Sequence, residues 1–365
     1  MHAAVVRSFG TPPRYESFPA PEPAADHEIL VDVLAVGLHP RVRSSADGSH
    51  YTSDGTLPLV PGIDAVGRTA AGDLLYFVAP DTAIGTMAER AVVDRRRAVP
   101  LPHDTDPVAV AAAMNPGMSS WVALRRRIAV QPGAEILVLG ATGNAGQLAV
   151  QIAKLLGAKR VVAAGRDPSR LALLKDLGAD DVLELPAPHR SPEAAPASTV
   201  PTSSSVSSAA SSPGESAAVP ASSASGEAAA GRGPDAEAAA RLAEAAADVD
   251  VVIDYVWGPV TERLLPALLT ARSDRGKPLT WLEIGSVSGP EITLPSYLLR
   301  AANVALVGSG QGSVPTAAIV AELPSLAAEI AAGTLTVNPV AVPLARVEEA
   351  WSMPTAPGER LVLIP

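Results

Sequence analysis

"ILVLGATGNAGQLAVQIAKLLGAKRVVAAGRDPSR", residues 136–170, decides the fold. An apolar strand runs into a glycine-bearing turn, a helix follows, and a second strand stops at Gly165-Arg166. Ala145, Leu148, Ala149, Ile152 and Leu156 fall on one face of the helix, the spacing of a helix packed on a sheet. The turn offers Ala141-x-Gly143-x-x-Gly146 where the commoner dinucleotide fingerprint carries three glycines. Gly143 lets a phosphate approach the backbone, Gly146 lets the helix lie close on the strand, and the free N–H groups of the helix start face a diphosphate. The candidate contacts are therefore Ala141, Thr142, Gly143, Asn144, Ala145 and Gly146. Any strand-to-helix turn can use glycine. Here the preceding strand, the amphipathic helix and a second strand at the expected distance point together to a nucleotide site.

The end of the second strand selects the coenzyme. Sites for NAD usually place an acidic side chain there for the ribose 2′-hydroxyl, and that acid would repel a 2′-phosphate. This chain has Gly165-Arg166, with Arg170 one turn further on, and arginine offers phosphate a planar, charge-assisted fork. NADPH is the expected coenzyme. Two other readings stay open: Arg166 as a solvated surface charge, and Asp167 rather than Arg166 facing the ribose, which would favour NADH.

Working outward, 365 residues are enough for two domains with separate apolar cores. Hydrophobic residues at 47% and charged residues at 18% describe a soluble globular protein. A formal charge of −10 argues against nucleic acid and anionic membrane as partners. There is no cysteine, hence no disulfide, thiolate zinc ligand or thiol nucleophile. The start "MHAAVVRSFG" lacks the apolar run of a signal peptide, and no stretch of 18 apolar residues occurs, so a cytoplasmic location is expected.

Residues 1–118 read as short strands with turns, among them 28–38 and 86–94. From about 119 strands alternate with helices: strand 135–139, helix 144–156, strand 160–164, helix 168–177, strand 181–185, helix 235–247, strand 249–254, helix 260–270 and strands 279–285 and 304–307. That rhythm predicts βαβ units and a doubly wound parallel sheet. The C-terminal "RLVLIP" reads as a strand returning to the first domain. Residues 186–234 hold no aromatic residue and no Leu, Ile or Met, so they cannot bury enough apolar surface to offset ordering entropy. They read as a disordered, tolerated insertion, because loop closure costs only about 0.6 kcal/mol per doubling of length.

Seven landmarks extend the reading: "VPGIDAVGR" (60–68), "GTMAERAVV" (85–93), "NPGMSSWVAL" (115–124), "VQPGAEILVLGATGNAGQLAVQIAK" (130–154), "DVVIDYVWG" (250–258), "IGSVSG" (284–289) and "LRAANVALVGSGQGS" (299–313). With these, in this order, the chain resembles the medium-chain dehydrogenase/reductase superfamily, in its zinc-independent quinone oxidoreductase branch. The resemblance implies an α/β protein: a GroES-like β domain over 1–118, completed by about 340–365, beside a Rossmann domain over 119–339. It implies a substrate cleft between them, backbone contacts to ribose and nicotinamide at Gly285, Ser286, Gly308 and Ser309, and a homodimer or homotetramer. Zinc-dependent relatives carry a His-Glu pair after the Pro-Gly and a catalytic cysteine. This chain has Ile63-Asp64 and no cysteine, and its histidines at 2, 27, 39, 50, 103 and 189 show no ligand spacing, so no metal is expected.

Without zinc to polarise an alcohol, the easier reaction is hydride delivery to an electrophilic carbon, in a quinone or an α,β-unsaturated carbonyl compound. Negative charge then develops on a carbonyl oxygen, where hydrogen-bond donors stabilise it. The candidate donors are His39, Tyr51 and Asn115. His39 stands where related reductases carry an asparagine, and Tyr51 where a tyrosine often lines the cleft. Each has a plainer reading: His39 in a surface loop, Tyr51 as a packing aromatic, Asn115 in a turn-forming Asn-Pro. Arg43 is either an anion contact or a surface charge, and Asp64 a buried cap for backbone N–H groups. Trp257 is expected near the adenosine pocket. Two alternatives remain: an enoyl-thioester reductase of a biosynthetic pathway, and a non-catalytic NADPH-binding sensor or scaffold.

Overall fold

The structure, a computed structural model, describes residues 1–49, 53, 55–79, 82–185, 234–310, 312–356 and 358–365. Tyr51 and residues 186–233 of the expected insertion lie outside the described residues; Pro234 opens a helix.

A two-stranded ribbon, β1 (His2–Val5) with β2 (Arg14–Ser17), begins the chain. It is followed by β3 (Glu28–Gly37), the short helix α1 (Pro40–Ala46), β4 (Asp64–Thr69), β5 (Leu74–Val78), β6 (Arg90–Asp94) and β7 (Ala98–Leu101). The long helix α2 (Pro107–Val122) then leads into β8 (Glu135–Leu139), α3 (Asn144–Leu155), β9 (Arg160–Gly165), α4 (Pro168–Asp176) and β10 (Asp181–Glu184). Beyond the insertion come α5 (Pro234–Ala245), β11 (Val251–Asp254), α6 (Gly258–Ala271), β12 (Leu279–Glu283), α7 (Leu298–Ala301) and β13 (Val304–Gly308). The chain ends with α8 (Thr316–Ala331), β14 (Asn338–Pro343), α9 (Val347–Ser352) and β15 (Glu359–Ile364).

Six strands form an all-parallel sheet in the order β10-β9-β8-β11-β12-β13. Counted along the chain this is 3-2-1-4-5-6, the Rossmann order, whose direction reverses between β8 and β11. Helices cover both faces, so β8, "EILVL", is apolar without alternation and its last four residues are buried. One core cluster joins its Ile136 and Val138 to Leu148, Ala149 and Ile152 of α3, the residues whose spacing marked the helix.

The other large sheet is mostly antiparallel, ordered β14-β15-β3-β4-β5-β7, with β6 also on β3. β15 pairs antiparallel with β3, placing Val362 opposite Gly37, and parallel with β14. The C-terminal strand thus joins the sheet built by the first hundred residues.

Helix α2 departs from the expected run of strands and turns over 1–118. Asp106 accepts a hydrogen bond from the Val108 amide, Pro107 opens the first turn, and an alanine-rich run follows. Asn115, Pro116 and Gly117 lie inside this helix, so Asn-Pro forms no turn here. The helix survives its proline because Val110 to Met114 are buried in the main core and packing outweighs the lost hydrogen bond. Ser119 Oγ also donates to the Pro116 carbonyl at 2.7 Å.

Candidate active site

The turn before α3 lies beyond the carboxyl end of β8, at the point where strand order reverses. The Gly140 and Ala141 amides both donate to the Ala164 carbonyl at 2.9 Å, which ties the turn to β9. A Cβ on Gly146 would lie 2.3 Å from the Gly140 oxygen, so only glycine lets α3 sit this close to the turn. A Cβ on Gly143 would meet only the Gly140 oxygen, at 3.5 Å. No neighbour demands glycine at 143, and its bare Cα leaves backbone open to an incoming ligand. No side chain caps α3, and the amides of Asn144, Ala145 and Gly146 have no acceptor among the described residues. Three such donors at the positive end of a helix dipole suit a diphosphate. Thr142 packs over Gly165, where a Cβ would fall 2.3 Å from its Cγ2, and its carbonyl accepts from Gln147. The Asn144 amide reaches the Glu359 carbonyl of β15 at 3.3 Å.

At the end of β9 the two candidate side chains, Arg166 and Asp167, are differently engaged. Asp167 caps α4: one carboxylate oxygen accepts from the Ser169 amide, the Ser169 hydroxyl and the Arg170 amide. Its other oxygen lies 3.2 Å from Arg170 Nε, and these bonds hold the carboxyl below the usual range, the Ser169 hydroxyl contributing most. The acid is thereby turned to its own helix. Arg170 is engaged too, with Asp167 and, at 3.5 Å, the Thr355 carbonyl. Arg166 is exposed and makes no hydrogen bond or ion pair with a described residue, so its guanidinium is free for a phosphate.

A second arginine escaped the sequence reading. Arg360 is 6% exposed, its Nε is buried without a partner, and it forms no ion pair with a described residue. Burial pulls it down to about 10. Its side chain alternates with Leu361 and so shares a face with Val362, which packs in the core containing α2 and α3. A desolvated cation without a counter-charge is costly, and this one follows, along β15, the Glu359 carbonyl that meets Asn144 at the start of α3.

At the carboxyl ends of β12 and β13 the expected contacts are partly spent within the chain. The Gly285 amide donates to the Asp254 carbonyl at 3.2 Å and the Ser309 amide to the Glu283 carbonyl at 2.8 Å. The Gly308 carbonyl accepts from Arg127 Nε, whereas Ser286 is exposed. Asp254 is a buried latch. One oxygen accepts from the Val256 and Trp257 amides, the other from the Thr261 hydroxyl and the Trp281 indole. It holds Trp257 at a φ of 47°, a strained value for a bulky residue. Next to it Tyr255 reaches across to α2 and shares a 2.9 Å hydrogen bond with Ser119 Oγ. Burial pushes its hydroxyl up to about 12.

His39 is buried, not in a surface loop. Its Nε2 lies 2.7 Å from Asp64 Oδ1, and Tyr76 donates to Asp64 Oδ2 at 2.9 Å. Asp64 therefore caps no backbone amide with its carboxylate, because a side chain from β5 and one from the start of α1 take both oxygens. Arg43 is likewise corrected: its guanidinium lies over the Trp351 ring, 5.2 Å from the centroid, and donates to the Trp351 and Ala350 carbonyls. It fastens α1 to α9. Asn115 is half-buried on α2.

The sequence model described as "Zinc-binding dehydrogenase" matches residues 145–196. A probable NADPH-dependent quinone reductase, tdiC, from Emericella nidulans is 28% identical over an alignment of 410 positions spanning the whole of both chains. A chloroplastic NADPH-dependent alkenal/one oxidoreductase from Arabidopsis thaliana is 29% identical over 171 residues, covering 42% of this chain and 44% of that protein. Among solved structures, the quinone oxidoreductase of Thermus thermophilus, also determined with NADPH, superposes with a TM-score of 0.73 at 24% identity over all of both chains. Among the described residues the donors do not suit zinc. Cysteine is absent, His39 Nε2 is held by Asp64, and no three His, Asp or Glu side chains cluster among the described residues.

Proposed function

We propose that this chain, a medium-chain dehydrogenase/reductase of the quinone-reductase-like branch, uses NADPH to reduce a quinone or an α,β-unsaturated carbonyl compound without zinc. The observation that carries the reading is the set of three amides at Asn144–Gly146 without an acceptor among the described residues, at the start of α3 beyond the carboxyl end of β8. The turn and Arg360 hold the diphosphate, and Arg166 takes the 2′-phosphate while Asp167 is kept on its own helix. Gly285, Ser286, Gly308 and Ser309 border the ribose and nicotinamide, with Arg170 supporting the adenosine end. When bound, NADPH supplies the hydride; the protein supplies position and electrostatics. Asn115, half-buried on α2, is assigned to the substrate side.

We place the protein in the cytoplasm, since no helix among the described residues is long and apolar enough to cross a membrane. We also assign it a two-fold dimer through β13, one of the two edge strands of the parallel sheet. Leu306 on that strand is exposed, as are Tyr297 and Leu299 in the segment of chain that leads into it.

Oxidation of NADPH and of NADH, followed against quinones, enones, enals and enoyl thioesters, tests the reading. Turnover of quinones or enones with NADPH preferred is expected. Turnover restricted to enoyl thioesters would make it a biosynthetic enoyl reductase, and binding of NADPH without any turnover would make it a sensor or scaffold.

A further inference from the structure

We propose that the seven-stranded sheet carries a second binding site, remote from the glycine turn, for an amphipathic carboxylate of the fatty-acid class. The site is a hollow of about 990 Å³ at the end of that sheet where β3 begins. Small-molecule sites span about 300–1,000 Å³, so this one is large enough for an extended ligand. It exists because the strands do not end together. The last pair between β3 and β4 is Val31 with Thr69, so Glu28, Ile29 and Leu30 run on with β6 alone beside them. After Thr69 the chain turns back through Ala70 and Ala71 into β5. There Leu74 and Leu75 pair with Leu101 and Pro100 of the edge strand β7. The hollow is the space between the start of β3, this turn and β7.

Its lining is apolar where it is deep. Leu74, Leu75 and Leu101 are buried, and Ile29 and Leu30 are half-buried. The charged groups around it are unevenly engaged. Oε2 of Glu28 accepts from the Ala24 amide at 2.8 Å, with the Arg96 charge nearby, and Oδ2 of Asp73 accepts from the Thr69 hydroxyl at 3.3 Å. Arg95 and His103 are exposed, and neither makes a side-chain hydrogen bond or ion pair with a described residue. The two acids are committed within the chain; the two basic side chains are not. An apolar lining beside an unpartnered guanidinium suits a ligand with an apolar body and an anionic head, and a carboxylate matches the planar fork of arginine with two parallel hydrogen bonds.

The hollow is separate from the coenzyme site. Ile29 lies near one end of β3, and Gly37, which pairs with Val362 of β15, at the other, roughly 25 Å of strand away. The glycine turn meets β15 near that other end, through Asn144 and the Glu359 carbonyl. A carboxylate held at the start of β3 therefore shares no residue with the proposed coenzyme contacts, and its binding stands or falls independently of the reductase reading.

Isothermal titration of dodecanoate, below its micellar concentration, into the full chain tests the site. Octanoate and dodecyltrimethylammonium serve as the shorter and the oppositely charged probes. Dodecanoate should bind with one-to-one stoichiometry, and octanoate at least tenfold more weakly, because each buried CH2 is worth about fourfold. Arg95→Gln should weaken dodecanoate about two- to fivefold, the size of an exposed ion pair. Ala71→Trp, which fills the hollow from an exposed turn, should abolish binding and leave turnover of 1,4-naphthoquinone with NADPH unchanged. In wild type, dodecanoate should slow hydrogen exchange at residues 69–75 and 98–101, a readout that needs no variant. No binding of dodecanoate, exchange slowed only around the glycine turn, or undiminished binding by Ala71→Trp would overturn the assignment. So would dodecyltrimethylammonium binding as tightly as dodecanoate, since the hollow would then belong to a cation drawn by Glu28 and Asp73. Absence of turnover in wild type would count against the reductase reading alone.

Discussion

The proposed function divides the coenzyme between two arginines. Arg166, exposed at the end of β9, is assigned the 2′-phosphate; Arg360, buried on β15, is assigned the diphosphate, which NADPH and NADH share. Arg166→Ala should therefore weaken NADPH by about 1.5–3 kcal/mol, the worth of charge-assisted hydrogen bonds, and leave NADH nearly untouched. Arg360→Met should weaken both coenzymes, and raise the melting temperature of the coenzyme-free protein by removing an unpaired buried charge. Titration of NADPH and NADH into each variant by fluorescence, with a thermal melt, checks the pair. Equal loss of both coenzymes in Arg166→Ala would return that residue to a plain surface charge. The place of Arg166 at the end of β9 was legible in the sequence because the second strand stands at a fixed distance from the glycine turn. The burial of Arg360 was not: in "ERLVLIP" it reads as a charge on a strand, and only contacts across more than two hundred residues bring β15, through Glu359, to Asn144. The His39–Asp64 contact was hidden for the same reason, since nothing in the spacing of two residues 25 apart says that one carboxylate will choose an imidazole over backbone amides.

At the scale of elements, the βαβ rhythm was readable because strands buried on both faces and amphipathic helices have different periods. The expected strands 135–139 and 160–164 lie within a residue of β8 and β9. Helix α2 was missed because its Pro116 and Gly117 imitate punctuation, while the packing that overrides them is tertiary. The expected strand over 86–94 shortens to β6, Arg90–Asp94, which pairs with β3. The turn from β11 into α6 carries its own prediction. Asp254 accepts four hydrogen bonds there, so Asp254→Asn would set an amide NH2 against buried donors. It should cost about 2–3 kcal/mol in chemical denaturation, and should release Trp257 from its φ of 47°. Thr261→Val, which removes one of the four donors without adding a conflicting one, should cost less.

Across the whole molecule, one sheet carries the glycine turn proposed to hold the coenzyme, the other carries His39 and Asp64, and β15 with α2 ties the two together. Helix α2 meets the second sheet at Gly37 through Ala111, and the first at Tyr255 through Ser119. The edge left open at β13 predicts a dimer: light scattering should give twice 37.1 kDa, and Leu306→Lys, which puts a charge on that edge, should shift the protein toward monomer. A monomeric wild type at micromolar concentration would remove the dimer and leave the cleft intact. The central claim is that the nicotinamide delivers hydride directly to an electrophilic carbon lying between the two sheets. NADPH deuterated at C4, in each of its two diastereomers, should be incubated with an enone and the product read by mass and NMR. Deuterium on the β-carbon from one diastereomer only is the predicted result; product free of deuterium from both, or no consumption of NADPH with any enone or quinone, would contradict it.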